Sequence, residues 1–108
     1  MKEIKAIVQP NRVAKIRDAF RDLPGFPGMN ICRVQGCSQH GGVERHATIR
    51  EELTDFSDKM RIEIVAPDDI VADIVRIIRA NAYSGQAGDG VLWITAVEEF
   101  HRLCKMEN

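Results

Sequence analysis

The most regular stretch of the chain is Lys59-Met60-Arg61-Ile62-Glu63-Ile64, where charged and apolar residues alternate strictly. Side chains on a strand point to opposite faces in turn, so a period of two predicts a strand with one wet face. Pro67 ends it, because the residue before a proline is held extended. After Pro67 the period changes. Ile70, Val71, Ile74, Val75, Ile78 and Ala82 recur at helical spacing, which predicts a long amphipathic helix capped by Asp68. Asp68 and Asp69 place negative charge at its N-terminus, where the helix dipole favours it. Ile70, Ile74 and Ile78 are expected in the core.

The N-terminal part repeats the sequence of strand and helix. Lys2 to Gln9 predicts a strand ended by Pro10, and Asn11 predicts the N-cap of a helix with Val13, Ile16, Phe20 and Leu23 on one face. Pro24-Gly25 and Pro27-Gly28 stop that helix. Met29 to Gln35, rich in Ile, Cys and Val, predicts a second strand. Beyond the long helix, Ser84 to Gly90 is a loop with three glycines, and Val91 to Ala96 is a last strand. It carries the only tryptophan, Trp93, expected buried in the sheet or at a subunit contact. Val97 to Lys105 predicts a short helical tail.

The resulting order, βαββαβ, is that of an α+β ferredoxin-like sandwich, an antiparallel sheet with both helices on one face. It accounts for residues 1–108 as a single domain. One segment does not fit a compact reading: of the 25 positions from Gly36 to Met60 only seven are hydrophobic. A connection of that length in a small domain is uncommon and usually functional. The long polar loop is the main clue to function.

Charge and cysteine content narrow the classes of partner. With 15 Lys+Arg against 16 Asp+Glu the net charge is −1, which argues against nucleic acid, whose phosphates call for a basic surplus. The outward positions of the third strand, Lys59, Arg61 and Glu63, also lack the stacking aromatics of an RNA-binding sheet. No apolar run approaches the roughly 18–20 residues of a membrane helix, so no direct membrane insertion is expected. The alternating start, Met1-Lys2-Glu3-Ile4-Lys5, is unlike the apolar core of a signal peptide, and the chain reads as cytoplasmic. Cys32, Cys37 and Cys104 are odd in number and form no Cys-x-x-Cys pair. They predict buried or idle thiols rather than a disulfide framework.

Several strings together resemble the P-II signal-transduction family. They are Ile7-Val8-Gln9-Pro10, Gly28-Met29 leading to Val34-Gln35-Gly36, Lys59-Met60-Arg61-Ile62-Glu63-Ile64-Val65, Pro67-Asp68-Asp69-Ile70 and the loop Ser84-Gly85 to Gly88-Asp89-Gly90. The resemblance covers about residues 4–102. It implies a homotrimer that binds an adenine nucleotide between subunits, and a protruding T-loop, here 36–60, that reports the bound ligands to a partner. The partner would be a membrane transporter or a metabolic enzyme, in nitrogen metabolism, and the chain itself would be a regulator rather than an enzyme. Carried onto this chain, the nucleotide residues are Ile7, Gly36, Glu63, Val65, Gly88, Asp89, Gly90 and Arg102. A glycine-rich turn suits phosphate because its backbone N–H groups can form an anion nest and approach closely.

The departures are specific. Val91 stands where the family has a phosphate-binding lysine, and Cys104 replaces a second tail arginine. Each charge-assisted hydrogen bond is worth about 1.5–3 kcal/mol, so AMP or ADP is expected in preference to ATP. In the loop, Glu52 occupies the position of the nucleotidylated tyrosine, so uridylylation is not expected, and Arg50 stands where other members carry a phosphorylatable serine. His40 replaces a glutamine that helps hold Mg²⁺ and an oxo-acid effector, whereas Lys59 matches the basic residue that pairs with that effector. Cys37, His40 and His46, with Glu44 between the histidines, bring soft and borderline donors into one segment. They raise the alternative of a metal-binding module in cation homeostasis, taking a divalent metal. Arg33-Val34-Gln35-Gly36 is similar to the phosphate cradle of acylphosphatases. There the segment joins the first strand to the first helix; here it leaves the second strand, so that enzymatic reading is not expected.

Overall fold

A computed structural model describes residues 1–37, 56–86 and 88–104. In chain order the elements are β1 (Lys2–Val8), a 3-10 turn (Pro10–Arg12), α1 (Val13–Phe20), β2 (Asn30–Gly36), β3 (Ser57–Ala66), α2 (Asp68–Ala82) and β4 (Gly90–Ala96). The four strands form one sheet in the order β2-β3-β1-β4, every neighbour antiparallel. This is the ferredoxin-like order the hydrophobic pattern predicts.

The period-two alternation sorts the sheet into two faces. Ile4, Ala6 and Val8 of β1 and Ile62, Ile64 and Ala66 of β3 are buried, with Ile16 and Phe20 of α1 and Ile74, Ile78 and Ala82 of α2 packed against them. Both helices therefore cover one face. Ile70 is partly buried at the edge of this cluster. Burying each large aliphatic side chain contributes about 1.5–3 kcal/mol, so this one layer supplies the main apolar stabilisation. The register pairs Lys5 with Glu63 and Trp93, and Ile7 with Arg61 and Val91, on the opposite face. Among the described residues that face carries no helix.

Several expectations shift. Strand pairing runs out to Gly36 opposite Ser57, so the segment between β2 and β3 spans 37–56 rather than 36–60. Asn11 is not the cap of α1. Pro10, with its fixed φ, opens a 3-10 turn one residue earlier, and Arg12 occupies the cap position. Asp68 is the first residue of α2, and the extended Pro67 is its cap. The Asp68 carboxylate meets the Met1 amino group at 2.7 Å, which holds its pKa below the ordinary 3.8. Trp93 is not buried in the sheet: it is 42% exposed, on the face without helices. The tail from 97 to 104 forms no helix, and Leu103 is 98% exposed. Of the cysteines expected to be buried or idle, Cys32 is half-buried while Cys37 and Cys104 are exposed.

Candidate functional site

The glycine-rich loop is held by its own acidic residue. The Asp89 carboxylate accepts hydrogen bonds from the Ser84 N–H at 2.7 Å, the Ser84 hydroxyl and the Gly85 N–H at 3.0 Å. The Ser84 hydroxyl, followed by the Ser84 N–H, holds the Asp89 carboxyl below its ordinary range. The Asp89 N–H in turn donates to the Gln86 carbonyl at 3.3 Å. Asp89 thus closes the turn between α2 and β4.

Gly90 then brings β4 against β1. Its φ is +119°, and a Cβ there would lie 1.8 Å from the Ile7 carbonyl oxygen, so only glycine fits. Gly88 is tied to the strand ends. Its carbonyl accepts from Gln9 Nε2 at 2.7 Å and from Lys59 Nζ at 3.1 Å. Gly36 lies beside the same lysine, 3.7 Å from its Cγ to where a Cβ would sit. Ile7, Asp89 and Gly90 line a cavity of about 410 Å³ with Arg79, Tyr83 and Val91.

The remaining predicted residues lie elsewhere. Glu63, Val65 and Arg102 line a separate cavity of about 370 Å³, together with Glu3, Gly28, Met29, Asn30 and Phe100. The Arg102 guanidinium sits 5.5 Å from the centroid of the Phe100 ring. Arg61 Nε lies 3.0 Å from a Glu63 carboxylate oxygen, yet its N–H finds no hydrogen-bond acceptor. The proximity is therefore a charge contact rather than an aligned bond. Val65 is paired with Glu3 and Gly90 with Val8. Glu3 and Val8 are five residues apart, roughly 16–17 Å along the strand. Within one chain Ile7, Asp89 and Gly90 line one cavity and Glu63, Val65 and Arg102 another, a loop group and a tail group, with Gly88 and Gly36 joined to the loop group through Lys59.

The replacement positions are exposed. Val91 is 61% exposed beside the loop, and Cys104 lies on the tail. His101 is also exposed, 3.0 Å from Glu99. His40, Glu44, His46, Arg50 and Glu52 lie outside the described residues. Among the described residues no three His, Cys, Asp or Glu side chains are grouped to hold a metal. Sequence reasoning gave no role to Gln9, Ser84 or Phe100. The Ser84 and Asp89 spacing hinted at a local side-chain turn, but the contact from Gln9 to Gly88 spans 79 positions and left no local signal.

The family model of "Nitrogen regulatory protein P-II" matches residues 1–107. The chain belongs to the P-II family. It is 35% identical over 103 residues to "Nitrogen regulatory protein P-II 1" of Escherichia coli (strain K12), covering 95% of this chain and 91% of that protein. The P-II proteins of Bradyrhizobium diazoefficiens and Azospirillum brasilense are 31% and 30% identical, with the same coverage. Membership makes the chain a signal-transduction regulator rather than an enzyme. Among the described residues no helix is long and apolar enough to cross a membrane.

Proposed function

We propose that this P-II protein binds an adenine nucleotide between subunits of a cytoplasmic homotrimer and regulates a transporter or metabolic enzyme through the segment between β2 and β3. The observation that carries the reading is that Ile7, Asp89 and Gly90 line one cavity while Glu63, Val65 and Arg102 line another. A second copy that brings its tail group to the loop group of the first would complete one site. The exposed apolar side chains Val91, Trp93, Ile94, Phe100 and Leu103 support this, since a neighbouring copy would cover them.

The ligand class follows from the cations. Arg102 remains on the tail, whereas Val91 and Cys104 offer no charge to a γ-phosphate. AMP or ADP is the better match, with the effector-pairing Lys59 at the edge of the same loop. Titration calorimetry with AMP, ADP and ATP tests this: ADP or AMP binds more tightly than ATP. Val91→Lys shifts the preference toward ATP by about tenfold or more, the value of one charged hydrogen bond. Absence of binding for all three nucleotides, on a trimer verified by light scattering, would refute the nucleotide reading.

A further inference from the structure

At the Gly88 carbonyl, side chains from the residue after β1 and from β3 meet the glycine-rich loop. Its two donors differ in kind. Gln9, just past the end of β1, contributes a neutral amide at 2.7 Å, and Lys59 of β3 contributes an ammonium at 3.1 Å. Both bonds are partly buried. The N–H on the far side of the same peptide unit, that of Asp89, is held by the Gln86 carbonyl. A peptide unit is planar, so fixing its oxygen on one side and its N–H on the other sets the plane. The plane in turn sets the start of β4 at Gly90, which tolerates no Cβ.

The two donors are not equivalent in what else they can do. An ammonium on a flexible stem is drawn to any nearby anion, because charge-assisted bonds are stronger than those to a neutral carbonyl. Gln9 carries no charge and has no such competitor. We infer that Gln9 is a positioning residue for the phosphate-facing loop, holding the Gly88 peptide in place when Lys59 leaves it for an anionic ligand. The Gly88 carbonyl is then shared by two interchangeable donors. Either one keeps the loop in its nucleotide-ready form, and Lys59 can change partner without disordering the phosphate site.

This inference rests on the nucleotide reading, and the test separates the two. The variants are Gln9→Leu, Lys59→Met and the double, with Gln9→Lys restoring a donor and Gln9→Glu presenting an acceptor to the carbonyl. The first readout needs no ligand: amide hydrogen exchange at Asp89. Each single variant leaves that amide protected, and the double loses protection by about tenfold or more. The second readout is affinity for ADP relative to adenosine, which has no phosphate. Gln9→Leu and Lys59→Met each weaken ADP, and the double weakens it by about tenfold more than the product of the two. Adenosine changes little. Gln9→Lys keeps Asp89 protected in the ligand-free protein, since an ammonium can also donate to the Gly88 carbonyl, and Gln9→Glu is worse than Gln9→Leu.

Protection of Asp89 that survives in the double variant would overturn the positioning role, whatever ADP does. So would purely multiplicative effects on ADP affinity. Loss of Asp89 protection in the double, in a protein that binds no ADP, would uphold the positioning role and reject the nucleotide reading.

Discussion

The two ends of the candidate site are built by opposite means. The loop end, Ser84 to Gly90, is polar and small-sided, yet it is fixed by several hydrogen bonds, two of them reaching from Gln9, just past β1, and from Lys59 of β3. The tail end, Val97 to Cys104, carries apolar residues but is held by little: the Val97 N–H on the Met1 carbonyl, a pair between His101 and Glu99, and Arg102 over Phe100. Hydrogen bonds shape the loop within one chain. The tail has side chains suited to a surface that one chain does not supply. That difference is what a site shared between copies requires: one half preformed, the other placed by a neighbour.

The largest effect should come from attacking the preformed half. Gly90→Ala puts a Cβ into the Ile7 carbonyl at a positive φ, so the start of β4 must shift. A loss of about 4 kcal/mol or more, read by denaturant unfolding, is expected, with loss of ADP binding. A stable, fully folded variant with wild-type affinity would mean that the loop is less constrained than its contacts indicate.

The tail should respond in the contrary way. Arg102→Ala removes an exposed cation with no aligned acceptor among the described residues, so stability should stay within about 0.5 kcal/mol of wild type. ADP affinity should fall roughly tenfold to a hundredfold, with adenosine little changed. Equal loss for adenosine and ADP would remove Arg102 from the phosphate contact.

A smaller effect separates the halves by pH. The Ser84 donors keep the Asp89 carboxyl below its ordinary pKa of 3.8, so the ionised form is favoured by folding. Its contribution is fully present above the unfolded value and is lost as pH falls through the lower, folded value. Asp89→Asn should lower the melting temperature at pH 7, and the gap to wild type should close in strong acid. A gap that stays constant with pH would mean that the carboxylate charge is not what holds the turn.

Much of the sandwich was legible because each central strand has one buried face, which writes a period of two into β1 and β3. The long helix was equally plain, since Ile74 and Ile78 lie one turn apart and both face the sheet. The tail was misread as a helix because Val97, Phe100 and Leu103 have helical spacing. A short helix needs a surface to bury its stripe, and Leu103 finds none among the described residues. Asn11 and Asp68 are good capping residues, but Pro10 and Pro67 moved each helix start by their own backbone geometry. The site residues were identified through family resemblance, and their division into two groups was not legible at all. It depends on the register of β1, which places Val8 by Gly90 and Glu3 by Val65.

The central claim is that one nucleotide site is completed by two copies. Val91→Glu places a negative charge beside the loop, and Arg102→Glu does so on the tail; each alone should abolish ADP binding to its own homotrimer. Refolding the two variants together at equal concentration creates interfaces that pair an intact loop with an intact tail. For a head-to-tail ring with random mixing, about a quarter of the interfaces are of that kind. Titration calorimetry on the mixture should therefore recover ADP binding at wild-type affinity and about a quarter of the wild-type stoichiometry. No recovery in the mixed trimers would contradict the account and place both halves of the site on a single chain.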